Sequence, residues 1–178
     1  MLIYAMMAVS GVIEMSVSFY PYVQTTDADG QTQWSFPDGV ANKFHAEFVP
    51  AYDSPEYDAW MDGKLDLPNP EYDSRFDVNM ADRNAQFVLN ELGLHTDRDA
   101  MYNSPPMSIE AFEAGLRATI ARNPEPVFGI PGREEHSDEG PRMFHFGVAD
   151  GYANRRFADL LRLVEAAREY GATHIGWG

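Results

Sequence analysis

Carboxylates are the chemically capable side chains that this sequence concentrates most, and they are densest in the segment 52–77. That segment has only two basic residues, Lys64 and Arg75. Large apolar side chains such as Trp60 are interspersed with the charges, so the segment can be pinned to a folded body, unlike a disordered acidic tail. Carboxylates at this density attract basic groups at long range and can imitate the phosphates of a nucleic acid. They are Asp53, Glu56, Asp58, Asp62, Asp66, Glu71, Asp73 and Asp77.

These charges favour a non-catalytic interaction protein that binds a basic protein partner, either as a DNA mimic or in the manner of an inhibitor. The competing interpretation is a solvated insertion whose charges only keep the protein in solution. We take the interaction protein as the working hypothesis. The predicted partner-binding residues are Asp53, Glu56, Asp58, Trp60, Asp62 and Asp66.

A second charged stretch, the predicted loop 125–141, could supply a different chemistry. It contains His136 and Asp138, and His145 follows across a predicted turn. Imidazole and carboxylate groups together can ligate zinc or a related metal ion, so these three residues are candidate ligands. No H-E-x-x-H or H-x-H spacing occurs, and we therefore assign no metal and no cofactor. The alternative function is a small hydrolase with a carboxylate and histidine site, with or without a metal ion, although a solvated loop beside a packed histidine explains the same residues.

Several function classes are excluded by what the sequence lacks. Neither G-x-x-x-x-G-K-[ST] nor G-x-G-x-x-G occurs, so we expect no nucleotide ligand. No G-x-S-x-G nucleophile elbow is present, which removes the usual signature of a serine hydrolase. A formal net charge of −15 repels the phosphate backbone and opposes direct nucleic-acid binding. The absence of cysteine excludes disulfides and thiolate metal sites.

The opening segment, 1–13, is apolar but shorter than the roughly 20 residues that a membrane span needs. It has no basic residue ahead of the apolar run and no A-x-A cleavage site, so a buried first strand is favoured over a signal peptide. Met15 is a second candidate start after Met1, in which case residues 1–14 are an upstream extension. We expect no membrane association and a cytoplasmic location.

The candidate site residues must be positioned by helices and strands. The secondary-structure pattern and the length of the chain predict one α+β domain over residues 1–178. The segment 52–77 is predicted to be an acidic excursion over the surface, and 125–141 a charged loop. Three prolines, Pro55, Pro68 and Pro70, are expected to interrupt regular structure in the excursion.

The N-terminal third is predicted to be antiparallel strands. Residues 16–23 alternate between apolar and polar side chains, as in a strand with one buried face. Asp29 and Gly30 form the dipeptide that favours a tight hairpin turn, and 33–36 supplies the second arm. Residues 44–49 alternate in the same way and predict a further strand.

Three main helices are predicted from apolar positions at helical spacing. The first follows Asn79, a predicted N-cap, and ends at Gly93. The second covers 108–123 and begins at a serine N-cap. The third covers 152–170 and is capped by Asp150. Its predicted buried stripe consists of Phe157, Leu160, Leu161, Val164 and Ala167.

The third helix lies between two predicted strands, 142–148 and 172–177. A helix between two apolar strands covers a sheet when the strands are parallel and the crossover is right-handed, so we predict a C-terminal βαβ unit. Together with the N-terminal antiparallel strands, this unit predicts a single mixed sheet.

The segment from Phe76 to Ala85, followed by Leu-Gly-Leu at 92–94, resembles a family of small uncharacterised acidic proteins from actinobacteria and their phages. In that family, a strand ending in Asn leads into an Asn-Ala-containing helix closed by Leu-Gly-Leu. The chain often finishes with Gly-Ala-Thr and a terminal Trp-Gly, to which residues 171–178 are similar. The resemblance implies an origin in an actinobacterium or its phage and brings no known activity.

Overall fold

The structure, a computed structural model, describes residues 16–52, 54–94, 104–123, 128–135, 143–145 and 147–178; for 133–135 and 143–145 it describes the backbone. The strands in these ranges are β1 (Ser16–Thr26), β2 (Thr32–Ser35), β3 (Asn79–Ala81), β4 (Met107–Ser108), β5 (Arg133–Glu135), β6 (Met143–His145) and β7 (His174–Trp177). The helices are α1 (Pro55–Met61), α2 (Asp82–Glu91), α3 (Ile109–Arg122) and α4 (Tyr152–Glu169).

Strand β1 is the centre of a five-stranded sheet in which all paired strands are antiparallel. One edge of β1 pairs with β7, with Phe19 opposite Trp177. The other edge pairs with β3 at its first residues and with β2 at its last residues. Strand β4 pairs with the outer edge of β7. Val17 and Phe19 are buried while Ser18 between them is partly exposed, so β1 turns one face to the core as its alternation predicts.

The connection from β1 to β2 is a tight turn. Gly30 has a φ of 78°, a conformation that glycine adopts without strain. The Asp27 carboxylate accepts hydrogen bonds from the backbone N–H groups of Asp29 and Gln31, at 3.0 and 2.8 Å. The predicted hairpin is confirmed.

Buried side chains of helices α2, α3 and α4 pack with those of the sheet in the hydrophobic core. These are the three main helices that the sequence predicts. Helix α3 is capped by Ser108, whose Oγ accepts from the backbone N–H of Ala111 at 3.3 Å. Gly93 follows α2 with a φ of 73°, as predicted for the residue after a helix. The buried residues of α4 are Ala153, Phe157, Leu160, Leu163, Val164, Ala166 and Ala167.

The other face of the sheet carries an aromatic layer. Tyr22 stacks on Phe36 with 5.4 Å between ring centroids, and Tyr20 meets Phe44 edge-on at 5.3 Å. A Cβ atom at Gly176 would come within 2.7 Å of the Tyr22 ring. Glycine at this strand position therefore gives the tyrosine room to lie close to the backbone.

The α+β class is confirmed, but the predicted parallel βαβ unit is wrong. Strand β7 lies between β1 and β4 and is antiparallel to both. The described part of the predicted strand 142–148 pairs elsewhere, because β6 forms an antiparallel pair with β5. The crossover rule applies to strands of one sheet, and these two belong to different sheets. The predicted single mixed sheet is therefore wrong, and the described strands form an antiparallel sheet of five and a separate pair.

Two predicted helix caps are also wrong, because both side chains have other partners. The Asn79 amide lies in β3 and donates to Ser18 Oγ at 2.7 Å. The Asp150 carboxylate accepts from the backbone N–H of Gly129 at 2.7 Å. Helices α2 and α4 begin without a side-chain cap.

Residues 44–49 alternate like a strand but run as an irregular loop. They contribute an isolated bridge between Glu47 and Pro68. Phe44 packs into the aromatic layer, while Phe48 and Val49 are exposed. The predicted strand over residues 44–49 is therefore wrong. The segment buries Phe44 and leaves Phe48 and Val49 exposed, without pairing in a sheet.

The predicted buried strand 1–13 and both candidate starts, Met1 and Met15, lie outside the described residues. Within the ranges that are described, no helix is both long enough and apolar enough to cross a membrane.

Leu160→Ala should lower the free energy of unfolding by about 2–5 kcal/mol, because the side chain is fully buried in the core. Leu161, predicted as part of the buried stripe, is only partly buried, so Leu161→Ala is a matched control and should cost less. Urea denaturation of both variants measures the difference. Equal losses would contradict this orientation of α4.

Candidate partner-binding surface

Helix α1 lies inside the acidic excursion 52–77, where prolines were expected to interrupt regular structure. Ser54 caps the helix by accepting a hydrogen bond from the backbone N–H of Tyr57 at 3.0 Å, and Pro55 is its first residue. Proline is favoured there, because its fixed φ suits the helix and its missing N–H would have no partner in the first turn. The expectation is therefore wrong at Pro55, which begins a helix.

The apolar side chains of α1 share one side of the helix and remain accessible to solvent. Tyr57, Trp60 and Met61 follow the i, i+3, i+4 spacing of neighbours on a helix surface. No residue of α1 is buried, and Met61 is 56% exposed. Helices of soluble proteins normally turn such a side towards the core. Helix α1 instead leaves Met61 exposed and Tyr57 and Trp60 only partly buried.

Ring contacts and one hydrogen bond hold α1 in place. Trp60 Nε1 donates to Glu47 Oε2 at 2.8 Å. The Tyr57 ring contacts those of Tyr52 and Trp60, with centroid separations of 5.2 and 5.9 Å. Side chains that are already held in position lose less conformational entropy when a partner covers them.

Exposed apolar side chains continue from α1 onto the neighbouring loop. Phe48, Val49 and Tyr52 are 47%, 59% and 63% exposed. The backbone N–H of Phe48 donates to the carbonyl of Leu67 at 2.8 Å, which joins this loop to the excursion. We call the combined region the aromatic–acidic surface. It comprises Glu47, Phe48, Val49, Tyr52, Glu56, Tyr57, Asp58, Trp60, Met61, Asp62 and Asp66.

Most carboxylates of the aromatic–acidic surface have no cation beside them. Asp62 pairs with a lysine two residues later at 2.7 Å, but both side chains are more than half exposed, so the pair contributes little to stability. Glu56, Asp58 and Asp66 make no ion pair with any residue that the structure describes. The surface includes five of the six predicted partner-binding residues by its definition, and Asp53 lies outside the described residues; their role in binding a partner stays a prediction.

Buried Asn69 fastens the preceding loop to the excursion. Its side-chain amide donates to the backbone carbonyls of Asn42 and His45, the latter at 2.9 Å. Its Oδ1 accepts from the backbone N–H of Glu71 at 2.9 Å. A buried amide is costly unless it is hydrogen-bonded, and these bonds satisfy both its donor and its acceptor. Asn69 thus joins the loop at Asn42 and His45 to the part of the excursion around residues 69–71.

A chain of ion pairs attaches the later part of the excursion to α4. Arg75 pairs with Asp73 at 2.7 Å and with Glu169 at 2.9 Å. Hydrogen bonds from the Arg75 guanidinium hold the pKa of the Asp73 carboxyl below its usual range. The excursion is therefore held to the folded body by charge as well as by Asn69.

A cleft of about 260 Å³ opens where β1, β3 and the loop after β2 meet. The Asn79 amide bonded to Ser18 is in its wall, and so is Asp77, which accepts from the Tyr72 hydroxyl at 3.0 Å. Burial and the bond to Asp77 raise the pKa of Tyr72, so this hydroxyl stays a donor. The lining consists of Ser18, Tyr20, Phe44, His45, Phe76, Asp77, Val78 and Asn79.

None of the polar lining residues was predicted as a site residue. They come from β1, the loop 42–48 and the residues around the start of β3, and no sequence spacing links these three stretches. In the sequence, Asp77 belongs to the charged segment, Asn79 has the position of a helix cap, and both lie in the stretch that carries the family resemblance, but no pattern indicates a shared cleft. Tertiary structure alone brings them together.

A serine, a histidine and an aspartate in one cleft suggest comparison with the nucleophile and base of a hydrolase. Such a pair needs the base within hydrogen-bond reach of the nucleophile. In the described part of the chain, Ser18 Oγ accepts from the Asn79 amide and the Asp77 carboxylate accepts from the Tyr72 hydroxyl. The arrangement supports binding through hydrogen bonds and charge more directly than acyl transfer.

The candidate metal ligands of the second charged stretch are not assembled into a described site. His136 and Asp138 lie outside the described residues, and His145 is described only by its backbone in β6. Among the residues described, no group of three or more histidine, aspartate or glutamate side chains could hold a metal ion. The hydrolase and metal alternative stays a prediction.

Comparison of the chain with protein-family models, with curated proteins and with solved structures finds no match. The resemblance of 76–94 and 171–178 to small acidic proteins of actinobacteria and their phages therefore stays a prediction. Function is accordingly inferred from the geometry of the surface and the cleft.

Asn69→Ala should lower the free energy of unfolding by about 1–3 kcal/mol, because it removes three hydrogen bonds between a buried side chain and the backbone. Asn42→Ala is the matched control, since that exposed amide makes only a 3.5 Å contact with Glu71. Urea denaturation gives the stabilities, and hydrogen exchange should show faster opening of 42–48 in the Asn69 variant alone. Equal behaviour of the two variants would contradict the role of Asn69.

Asp73→Asn should destabilise the protein at neutral pH and cost progressively less in acid. Because the folded-state pKa of Asp73 is lowered, the ionised carboxylate contributes stability that is present above its unfolded pKa of about 3.9 and lost as the pH falls through the folded pKa. Thermal melts from about pH 7 to about pH 2 should therefore converge with those of the wild type. Asp66→Asn, at an unpaired carboxylate, should show no such gap, and a pH-independent gap for Asp73→Asn would contradict the ionic role.

Proposed function

We propose that this protein binds a basic protein partner through the aromatic–acidic surface and acts by occupying that partner, without catalysis. The observation that carries the proposal is α1, which leaves Met61 exposed and Tyr57 and Trp60 only partly buried. Apolar area left in water forgoes about 25 cal/mol per Å² of burial. A partner that covers this side of the helix recovers part of that free energy, after the entropy costs of association.

Aromatic anchors suit α1 to protein recognition in particular. Tyrosine and tryptophan are enriched among the residues that dominate the binding energy of protein interfaces. An isolated helix of seven residues is marginal in water, and α1 is maintained by the Ser54 cap and by the bond from Trp60 to Glu47. The binding face is therefore formed before the partner arrives.

The partner must be cationic as well as apolar. Glu56, Asp58 and Asp66 flank the aromatic side chains and have no compensating cation among the described residues. The whole chain carries a net charge of −15, which attracts basic groups and raises association rates. The same charge opposes direct binding of nucleic acid.

Two forms of inhibition are consistent with the proposal, and a competition experiment with duplex DNA distinguishes them. Carboxylates can stand in for phosphates in the nucleic-acid groove of a DNA-binding protein, or the surface can cover a basic segment elsewhere on an enzyme. Phe48 and Met61 are exposed and apolar. DNA phosphates have no apolar group that corresponds to them, so these two side chains favour the second form, in which the partner supplies apolar contacts. Displacement of the protein by duplex DNA would identify the first form. We place the encounter in the cytoplasm, where a chain without cysteine needs no oxidising environment.

Reversing Asp58, Asp62 and Asp66 to Lys should slow association with the partner and weaken its salt dependence. Exposed charges steer association at long range and are screened beyond about 8 Å at physiological salt, so the association rate should change more than the dissociation rate. The partner is captured from host lysate with tagged wild-type protein, and both rates are then measured over a range of salt concentrations. The fold should persist, because all three side chains are exposed.

A control variant with Asp29, Asp38 and Glu165 reversed to Lys changes the net charge equally at exposed positions outside the surface. It should retain most of the wild-type association rate. Equal slowing in both variants would indicate that only net charge matters. If the first variant keeps its capture and its salt response, the acidic segment is a solvated loop and the proposal fails.

A further inference from the structure

We propose that the cleft beside β1 binds one arginine side chain of the basic partner. That the arginine comes from a protein partner rests on the proposed function. That the cleft prefers a guanidinium group follows from its lining residues alone. Four observations support it: the size of the cleft, its excess of hydrogen-bond acceptors, an unneutralised carboxylate and aromatic walls.

The size of the cleft suits one side chain. Pockets for drug-sized ligands and cofactors have volumes of about 300–1,000 Å³. The cleft measures about 260 Å³, which is below that range. An amino-acid side chain or a similarly small group is therefore the appropriate occupant.

The polar wall of the cleft offers acceptors. The Asn79 amide N–H group is used on Ser16 Oγ and Ser18 Oγ, at 3.1 and 2.7 Å, which leaves its Oδ1 for a ligand. One oxygen of Asp77 accepts from Tyr72 at 3.0 Å, which leaves the other oxygen. Several acceptors on one wall favour an occupant with several donors, and guanidinium has five in a planar fork.

The charge of Asp77 is not neutralised within the described residues. The basic residue two positions before it, Arg75, is held by Asp73 and Glu169. Lys43, in the loop that lines the cleft, lies 5.2 Å from the centroid of a tyrosine ring of the body and donates to a backbone carbonyl. Asp77 is exposed, so water solvates its charge, and a cation that enters the cleft finds a carboxylate without an ion-pair partner.

Aromatic walls select arginine over lysine. Tyr20, Phe44 and Phe76 line the apolar side of the cleft; Phe44 and Phe76 are buried in the core, so the partly exposed Tyr20 ring is the one that a ligand can cover. A guanidinium plane packs on aromatic rings. It is also more weakly hydrated than an ammonium group, so it loses less hydration free energy when it enters a partly apolar site. The combination of rings, a carboxylate and amide oxygen matches arginine more closely than lysine.

The cleft and the aromatic–acidic surface are close enough to receive one segment of a partner. His45 lines the cleft, and Glu47, which accepts from Trp60, follows two residues later. Two residues span at most about 7 Å of chain. A basic segment can therefore place an arginine in the cleft while its neighbours contact α1.

The test uses N-acetyl-L-arginine methylamide, titrated into isotopically labelled full-length protein and followed by NMR. Resonances of Ser18, His45 and Asn79 should shift, and the citrulline analogue, which has the same shape without the charge, should bind at least about tenfold more weakly. Asp77→Asn keeps an acceptor for Tyr72 and removes the charge. It should lower the affinity for the arginine analogue by at least about tenfold. Asp29→Asn is the matched control for net charge and should bind like the wild type.

Equal binding of the arginine and citrulline analogues, or an unchanged affinity in Asp77→Asn, would overturn the guanidinium assignment. The reversal of Asp58, Asp62 and Asp66 tests the proposed function separately, because these residues do not line the cleft. If the cleft binds the arginine analogue while that reversal leaves partner capture unchanged, the proposed function fails and the guanidinium site stands. If Asp77→Asn loses the analogue but holds the captured partner as tightly as the wild type, a partner arginine is excluded as the occupant.

Discussion

Strand β1 is hydrogen-bonded along both of its edges, and the positions of the core, the aromatic layer and the cleft all follow from that pairing. Strand β7 lies on one side, while β3 and β2 share the other side in succession. Because side chains alternate along a strand, Phe19 enters the core while Ser18 and Tyr20 face the cleft. A shift of one residue in this register would exchange the two faces. The binding chemistry is therefore a direct product of the register between Ser18 and Asn79.

Local patterns were sufficient to predict the elements that depend on local forces. The alternation of β1, the turn at Gly30 and the cap at Ser108 each involve residues a few positions apart, and each is confirmed. Strand pairing involves distant residues, and neither periodicity nor propensity specifies which strand β7 joins. The crossover rule supplied a parallel partner, but the backbone groups of β7 are paired by β1 and β4 instead. Likewise, nothing in the sequence near Asn79 indicated that its amide bonds to Ser18 across a strand pair.

The candidate site was predictable to the extent that it is one continuous segment. Charge density marks the excursion, which supplies most of the aromatic–acidic surface, and the partner-binding role of its residues stays a prediction. The helix within it was missed because Pro55 was interpreted as a breaker, although Ser54 before it is the usual signal for a helix start. The cleft could not be predicted, since it needs β1, the loop fastened by Asn69 and the residues before β3 to meet. Its members carry no shared spacing, and only the folded chain makes them neighbours.

The same pairing has a consequence for how the chain is made. The backbone N–H of Gln24 in β1 donates to Thr173 Oγ1, just before β7, across 149 residues of sequence. Contacts of such long range raise the contact order and slow folding, because the loop-closure entropy is lost before the contacts form. During synthesis, β1 emerges from the ribosome long before β7 exists, and an unpaired strand edge is a template for pairing with other chains. The edge of β1 that pairs with β7 therefore has no partner from this sheet until residues 174–177 have left the ribosome.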